Sequence, residues 1–595
     1  MPIATVMPLG FQPGQHGMEK DRTLVVVLHG WRSSPERLRD VARAASTALD
    51  NPGGLDLFVP KMPQSRWYSF KSPTEITAAL LRDLDRICQD PDRYSRIFLV
   101  GHSIGAVIAR RLFLIAIGMN QVVASEGVLN GEPARPWAIR VQRIVTLAGL
   151  NRGWVRSGRL GWQESLATSL VALVGHGWVG TSAPTLFSFR RGAPFVVHTR
   201  LQWLALQRDA QAHKPLVVQL LGTQDDLVGP DDAVDFAVDG TGDGGYLYIE
   251  LPETDHPAAV IFSPRPDDPN GARGDGRRRR FVAALTESHE ALERMSVDRR
   301  FLADTLPLAA EPGVERVVFV IHGIRDDGYW TRRIGQRVRE AAEAAGLSAD
   351  SNRTITATYG YFAMLPFIWP WIRREKVEWL MDQYVAAVAQ YPKAQFSYVG
   401  HSNGTYLLAR ALQDYPAAHF HNVLFAGSVV RRDYRWKRLI DQSRIRHLVN
   451  MVATADWVVA IFPSGLEPLR GFDVGGAGFG GFKEAAIAPT ISEVRYVRGG
   501  HGAGIAERHW PGIAGYIVHG AIPASDPDAA RQSRLLRAAA RVSSLLLAGI
   551  VAVFGFLPFY FAYEHVGDGG AYWGAGMAGL AFAYFLLLRF VVTRV

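Results

Sequence analysis

The chain has 595 residues, 48% of them hydrophobic and 20% charged. At roughly 100–200 residues per domain that is too long for one compact unit, and the composition excludes a disordered or fibrous protein. The formal charge is +9, but much of the excess is local, in Arg277–Arg280 and in Arg531, Arg534, Arg537 and Arg541. No nucleic-acid partner is expected from two such patches. One cysteine, Cys88, excludes an internal disulfide framework and a cysteine-cluster metal site. No metal or cofactor is expected. Residues 1–17 lack the basic start and apolar run of a signal peptide.

The residues before 530 fall into two halves that reuse one pattern. In the first, the apolar run Thr23–Leu28 predicts a buried strand ending in His29-Gly30-Trp31. Next, Ile97–Val100 predicts a strand leading into Gly101-His102-Ser103-Ile104-Gly105, with a helix over Ala106–Ile115. In the second half, Val317–Ile321 ends in His322-Gly323-Ile324. Phe396–Val399 leads into Gly400-His401-Ser402-Asn403-Gly404, with a helix over Thr405–Leu412. From His29 to Ser103 is 74 residues, and from His322 to Ser402 is 80. Strand, glycine-flanked serine and helix, preceded twice by strand-HG at similar spacing, form a specific signal. A serine on a sharp strand-to-helix turn exposes its hydroxyl, and the helix N-terminus aims N–H groups at developing negative charge.

Both halves resemble α/β-hydrolases of the lipase/esterase-like branch, over about residues 20–295 and 312–520. The resemblance implies an α/β fold: two tandem α/β-hydrolase domains, each a mostly parallel sheet flanked by helices. It also implies a triad in the order serine, acid, histidine. In the first half the strand Val217–Gly222 precedes Asp225, which fits the acid position better than Asp226. The strand Tyr246–Leu251 precedes His256 as the base. In the second half Asp456 follows the strand His447–Val452, and His501 follows Glu493–Val497, with His509 a more distant rival. The implied nucleophiles are Ser103 and Ser402. The implied oxyanion donors are the backbone N–H groups of Trp31 and Ile104, and of Ile324 and Asn403. His29 and His322 are expected to shape the turn. His102 and His401 need no catalytic role. The spacing from His322 to Asp327 also fits an HxxxxD acyltransferase pattern, which the strand-HG context makes a coincidence. Asn151-Arg152-Gly153 departs from the Pro-His-x-Gly type sequence often found there in lipases.

The serine-to-acid spacing is 122 residues in the first half and 54 in the second. The extra length, mainly 151–214, is expected to form either a lid or a peripheral helix. Residues 263–280 predict an exposed loop and Phe281–Leu292 the last helix of the first domain. Tyr361–Trp371 is aromatic-rich, suited to the core, an acyl pocket or a membrane interface. Gly475–Gly481 predicts a flexible loop without a phosphate-binding pattern.

At the C-terminus, Val542–Tyr563 and Gly569–Leu588 are uncharged stretches of 22 and 20 residues, each long enough to span a bilayer. The flanking arginines place the large N-terminal part in the cytoplasm. A buried soluble hairpin is the alternative. The expected domains are 1–295, a linker 296–312, 313–525, and a basic juxtamembrane segment with the hairpin, 526–595. The expectation is a membrane-anchored, multi-pass serine hydrolase of carboxylic esters, possible lipid esters included, with an ester or lipid substrate and the bilayer as partners. The alternatives are a membrane-tethered amidase or peptidase, or a scaffold or sensor with silent domains. The oligomeric state stays open.

Overall fold

The computed structural model describes the chain except residues 1–10, 13–21, 51, 53, 64–68, 91, 156–184, 236–245, 299–300, 303–309, 325, 327, 357–366, 368–369, 530, 556–559, 561–578, 580, 582–583 and 585–595. It divides into two compact units. The first is Met1–Ala310 with Met381–Pro392 and Asp414–Ala417, and the second is Glu311–Leu380, Lys393–Gln413 and Ala418–Val595. The first unit thus takes two short segments that the sequence places in the second domain. Asp382, in one of them, is ion-paired there with Arg152 and Arg200. The segment from 526 onward, expected to stand apart, belongs to the second unit.

In the first unit the strands are β1 (Phe11–Gln12), β2 (Arg22–Leu28), β3 (Leu55–Phe58), β4 (Tyr94–His102), β5 (Val141–Leu147), β6 (Leu216–Gly222) and β7 (Tyr246–Leu251). Their order is β1-β3-β2-β4-β5-β6-β7, parallel except for the β1/β3 pair. The second unit holds β8 (Arg316–Ile321), β9 (Asn352–Ile355), β10 (Gln395–His401), β11 (Phe420–Ala426), β12 (Ile445–Ala453) and β13 (Ile491–Val497). They run in the order β13-β12-β11-β10-β8-β9, all parallel. Without β1, the two orders coincide. The registers coincide too: Leu28 pairs with Gly101 as Ile321 pairs with Gly400, and His102 with Leu147 as His401 with Ala426.

Parallel sheets are covered on both faces, so their strands are apolar throughout. Leu24, Val26 and Leu28 enter one core with the helices Pro73–Ile87 and Ile104–Ala116. Val25 and Val27 enter the other, with Arg39–Leu49 and Ala272–Thr286. The Ile104–Ala116 helix is buried on every side. Its two arginines survive there because each has a carboxylate: Arg110 meets Asp235 at 3.1 Å and Arg111 meets Glu126 at 2.7 Å. Arg200 bonds the other oxygen of Asp235 at 2.9 Å.

Two local expectations are corrected. The Ala272–Thr286 helix begins inside the expected loop 263–280, because Asp268 Oδ2 accepts from Gly274 N at 2.9 Å and Arg277 Nε donates to Ile261 O. The basic run is therefore helical, with Arg277 buried. Gly475–Gly481 is packed rather than flexible. Gly475, Ala477 and Gly478 donate N–H bonds to Val429, Val430 and Ser428, and Asn450 Nδ2 donates to Ala477 O. A Cβ on Gly478 would lie 2.3 Å from Ser428 N, so this close approach needs glycine.

The apolar segment 166–174, with Trp162 and Trp178, lies outside the described residues, as does most of the aromatic cluster at 361–371. Phe367 of that cluster is buried. The C-terminal chain forms helices over Arg534–Arg541 and Ser543–Gly555. Nearly all of the two expected spans beyond Gly555 lies outside the described residues. Among the described residues, no helix is long and apolar enough to cross a membrane.

Candidate active sites

Ser103 sits between β4 and the Ile104–Ala116 helix with φ 55° and ψ −123°. Ser402 takes the same place between β10 and the Asn403–Asp414 helix, with φ 52°. These are the only two positive-φ serines at strand-to-helix turns among the described residues. Positive φ in a residue with a side chain is strained, and the surroundings hold it in place. Ser103 N donates to Leu147 O at 3.0 Å, and Ser402 N donates to Ala426 O at 3.1 Å. The glycine two residues on lets the helix close against the neighbouring strand: a Cβ on Gly105 would lie 2.4 Å from Leu28 O, and one on Gly404 would lie 2.5 Å from Ile321 O.

The acid and the base meet in both units. His256 Nδ1 donates to Asp225 Oδ2 at 2.8 Å, and His501 Nδ1 donates to Asp456 Oδ2 at 3.0 Å. Each aspartate spends its other oxygen on the backbone that follows it. Asp225 Oδ1 accepts from Leu227 N and Val228 N, and Asp456 Oδ1 accepts from Val459 N, capping the Trp457–Leu466 helix. Both carboxylates are buried, whereas the side chain of His501 is 21% exposed and that of His256 11%. The imidazoles thus face outward while the carboxylates hold them from within. Asp226 takes no part in this pair. The rival His509 is buried beside Arg508 and Asp526.

The elbow histidines, expected to be bystanders, tie each base to its serine. His102 Nε2 donates to the carbonyl of His256 at 3.3 Å, with ring centroids 5.1 Å apart. His401 does the same to His501, at 3.2 Å and 4.9 Å. Burial, with the neighbouring histidine second, pushes His102 down to about 3 and His401 down to about 4. Both are therefore neutral donors at ordinary pH. The GHSxG sequence holds this histidine, but only the fold shows its partner.

His29 and His322 shape the turns as expected. Each Nδ1 faces the carbonyl of the next glycine, at 2.9 Å and 2.8 Å. His29 Nε2 accepts from Met62 N, which fixes its neutral tautomer. Gly30 and Gly323 lie against the serines, where an added Cβ would fall 2.8 Å from Ser103 Cβ and 2.7 Å from Ser402 Cβ. Trp31 and Ile324 follow these glycines, and Ile104 and Asn403 open the two helices. Helix-opening N–H groups have no partner within their helix. The sequence gives no sign of Gly427. It lies at φ 55°, where a Cβ would come 2.9 Å from His501 Cε1. Asn151, in the loop that departs from the lipase pattern, is buried and donates to Gln219 and to Ala233 O.

Residues 25–269 match the alpha/beta hydrolase family. No curated protein matches the chain. Among solved structures, the chain is similar to one reported with the metagenome-derived lipolytic enzymes LipS and LipT. Identity is 15%, covering 46% of this chain and 100% of that one, with a TM-score of 0.27. It is similar to a monoacylglycerol lipase from Paleococcus ferrophilus at 13% identity, covering 47% and 100%, with a TM-score of 0.28. It is also similar to phospholipase PlaB from Legionella pneumophila at 13% identity, covering 47% and 64%, with a TM-score of 0.31.

Proposed function

We propose that the chain is a membrane-tethered serine hydrolase that cleaves carboxylic esters, lipid esters among them, at two sites. The observation that carries this reading is the duplicated constellation. In each unit a serine on a strained strand-to-helix turn is bonded, through the histidine before it, to an Asp–His pair.

In the first unit Ser103 Oγ attacks the ester carbonyl carbon and passes its proton to His256 Nε2. Asp225 keeps Nδ1 protonated and stabilises the imidazolium that forms. The N–H groups of Trp31 and Ile104 hold the developing oxyanion. The ester C–O bond then breaks, and His256 returns the proton to the departing alcohol. Water attacks the acyl-enzyme by the same route and releases the acid. Ser402, His501, Asp456, Ile324 and Asn403 take these roles in the second unit.

The tether reading is supported by the uncharged stretches 542–563 and 569–588 and the arginines beside them. It places both units in the cytoplasm. Labelling by a fluorophosphonate probe in Ser103→Ala, Ser402→Ala and the double variant tests the sites. Each single variant should lose one labelled site and the double variant both. Labelling that survives in the double variant refutes the assignment, and absence of labelling in the parent points to a binding or scaffold role. Paired ester and peptide substrates separate esterase from amidase. Retention in the membrane pellet after a carbonate wash tests the tether.

A further inference from the structure

The end of the described chain is fastened to the elements that carry the second acid. Gln532 Nε2 donates to Ala453 O at 3.1 Å and to Phe479 O at 2.6 Å, and Ser533 N donates to Thr454 O at 3.2 Å. Ala453 ends β12, three residues before Asp456. Ser544 Oγ donates to Gly465 O at 3.0 Å, and a Cβ on Gly465 would meet Ser543 O at 3.0 Å. Gly465 lies in the uncharged Trp457–Leu466 helix that Asp456 caps. The helices Arg534–Arg541 and Ser543–Gly555 therefore pack on the helix that the acid begins.

These helices leave a long apolar stripe uncovered. Leu535 is 83% exposed, Leu545 74%, and Val542, Leu546 and Val553 are exposed as well. Leu535 lies on the first helix and Val542 at the junction, while Leu545, Leu546 and Val553 lie on the second, where a step of seven keeps Leu546 and Val553 on one face. Arg534, Arg537 and Arg541 are exposed beside it, again at helical spacing. Trp457, directly after the acid, is exposed too. An exposed apolar stripe flanked by arginines matches the interface of an anionic bilayer, with the apolar side chains in the acyl boundary and the guanidiniums at the headgroups. The second of these helices opens the uncharged stretch 542–563, and the uncharged stretch 569–588 follows, which favours a bilayer over a protein partner.

We infer that the Arg534–Arg541 helix is a docking surface for anionic lipid at the point where the chain enters the bilayer, and that docking there holds the Asp456 end of the second site in place. The docking rests on the surface alone. Its effect on turnover rests on the hydrolase reading, and the two are measured separately.

Cys88 is the chain's one cysteine and is buried, so Leu535→Cys can be labelled selectively with an environment-sensitive fluorophore. The full chain is reconstituted into vesicles of zwitterionic lipid with or without phosphatidylglycerol. With phosphatidylglycerol the label should shift to the blue, be quenched by a lipid-borne quencher and be shielded from iodide. At about fivefold per arginine, Arg534→Gln, Arg537→Gln and Arg541→Gln together should shift docking on the order of a hundredfold. In a Ser103→Ala background, phosphatidylglycerol should raise ester turnover in the parent and not in the triple variant. Three outcomes overturn the inference: a label open to iodide in all vesicles, a blue shift without lipid quenching, which marks a second copy or another protein, and equal docking on both lipids. A docked label without turnover removes the hydrolase reading and leaves the docking. Turnover with an undocked label does the reverse. An unchanged circular-dichroism spectrum and urea midpoint show that the triple variant is folded.

Discussion

Replacing Asp225 by asparagine changes one oxygen to an amide nitrogen, and the surroundings decide which. Leu227 N–H and Val228 N–H both point at Oδ1, the latter at 2.8 Å. Two donors there select the amide oxygen for that position. The NH2 group is then forced toward His256 Nδ1, 2.8 Å from the present Oδ2. A nitrogen facing a donor must itself accept, so His256 shifts its proton to Nε2. The base then presents a proton to Ser103 where it must present a lone pair. Loss of the correct tautomer in such a triad lowers the rate by about 10⁴, or about 5.5 kcal/mol of transition-state stabilisation. The two bonds at Oδ1 survive, so stability should fall by only about 1 kcal/mol. Asp225→Ala should lose more stability, because those N–H groups lose their acceptor, but no more rate, because the imidazole is free to take either tautomer. The measurement is the fluorophosphonate labelling rate of Ser103 in a Ser402→Ala background, alongside urea unfolding. Labelling of Asp225→Asn within tenfold of the parent would refute the tautomer argument.

Gly427→Ala places a methyl 2.9 Å from His501 Cε1 at a residue with φ 55°. It should slow labelling of Ser402 about 10²-fold through misplacement of the base, while labelling of Ser103 is unchanged. Asp235→Ala strips a buried carboxylate from two fully buried arginines, Arg110 and Arg200. Stability should fall by about 3–5 kcal/mol in denaturant titration, although Arg200 keeps Asp382. For pH, His102 and His401 are held near 3 and 4 in the folded chain, against about 6.5 when unfolded. Between those values the unfolded chain binds protons that the folded chain does not, so stability declines as pH falls from about 6.5 toward 4 and 3. His102→Gln, which keeps a donor for the His256 carbonyl, should flatten that decline in urea titrations at pH 7, 6 and 5, and should retain more labelling than His102→Leu.

The sequence exposed what is local. A strand ending in His-Gly, a serine between spaced glycines and an acid just past a strand are each set within a few residues. Ser103, Asp225, His256 and their counterparts could therefore be proposed from sequence, and the fold brings each aspartate to its histidine. What it hid depends on partners far along the chain. Gly427 looks like an ordinary loop glycine until His501, 74 residues later, lies against it. Gly475–Gly481 looks mobile because glycine runs usually are, yet these glycines let backbone approach backbone. The Ala272–Thr286 helix was obscured by its glycines and arginines, which favour a loop until Asp268 and Ile261 supply bonds from outside it. Asp382 carries no mark in sequence of the unit whose arginines it neutralises.

Each acid divides its two oxygens between the backbone and the base, and this bears on how such a chain ages. If the enzymatic task of one unit were relaxed, selection for folding alone would still preserve Asp225 or Asp456, because the loop or helix after it depends on that oxygen. The glycines beneath the serine would be preserved as well, since nothing larger fits. Only the serine hydroxyl and the outward-facing imidazole are free to drift. In related sequences, then, an intact aspartate reports a surviving fold, and on the proposed hydrolase reading an intact Ser–His couple reports surviving turnover.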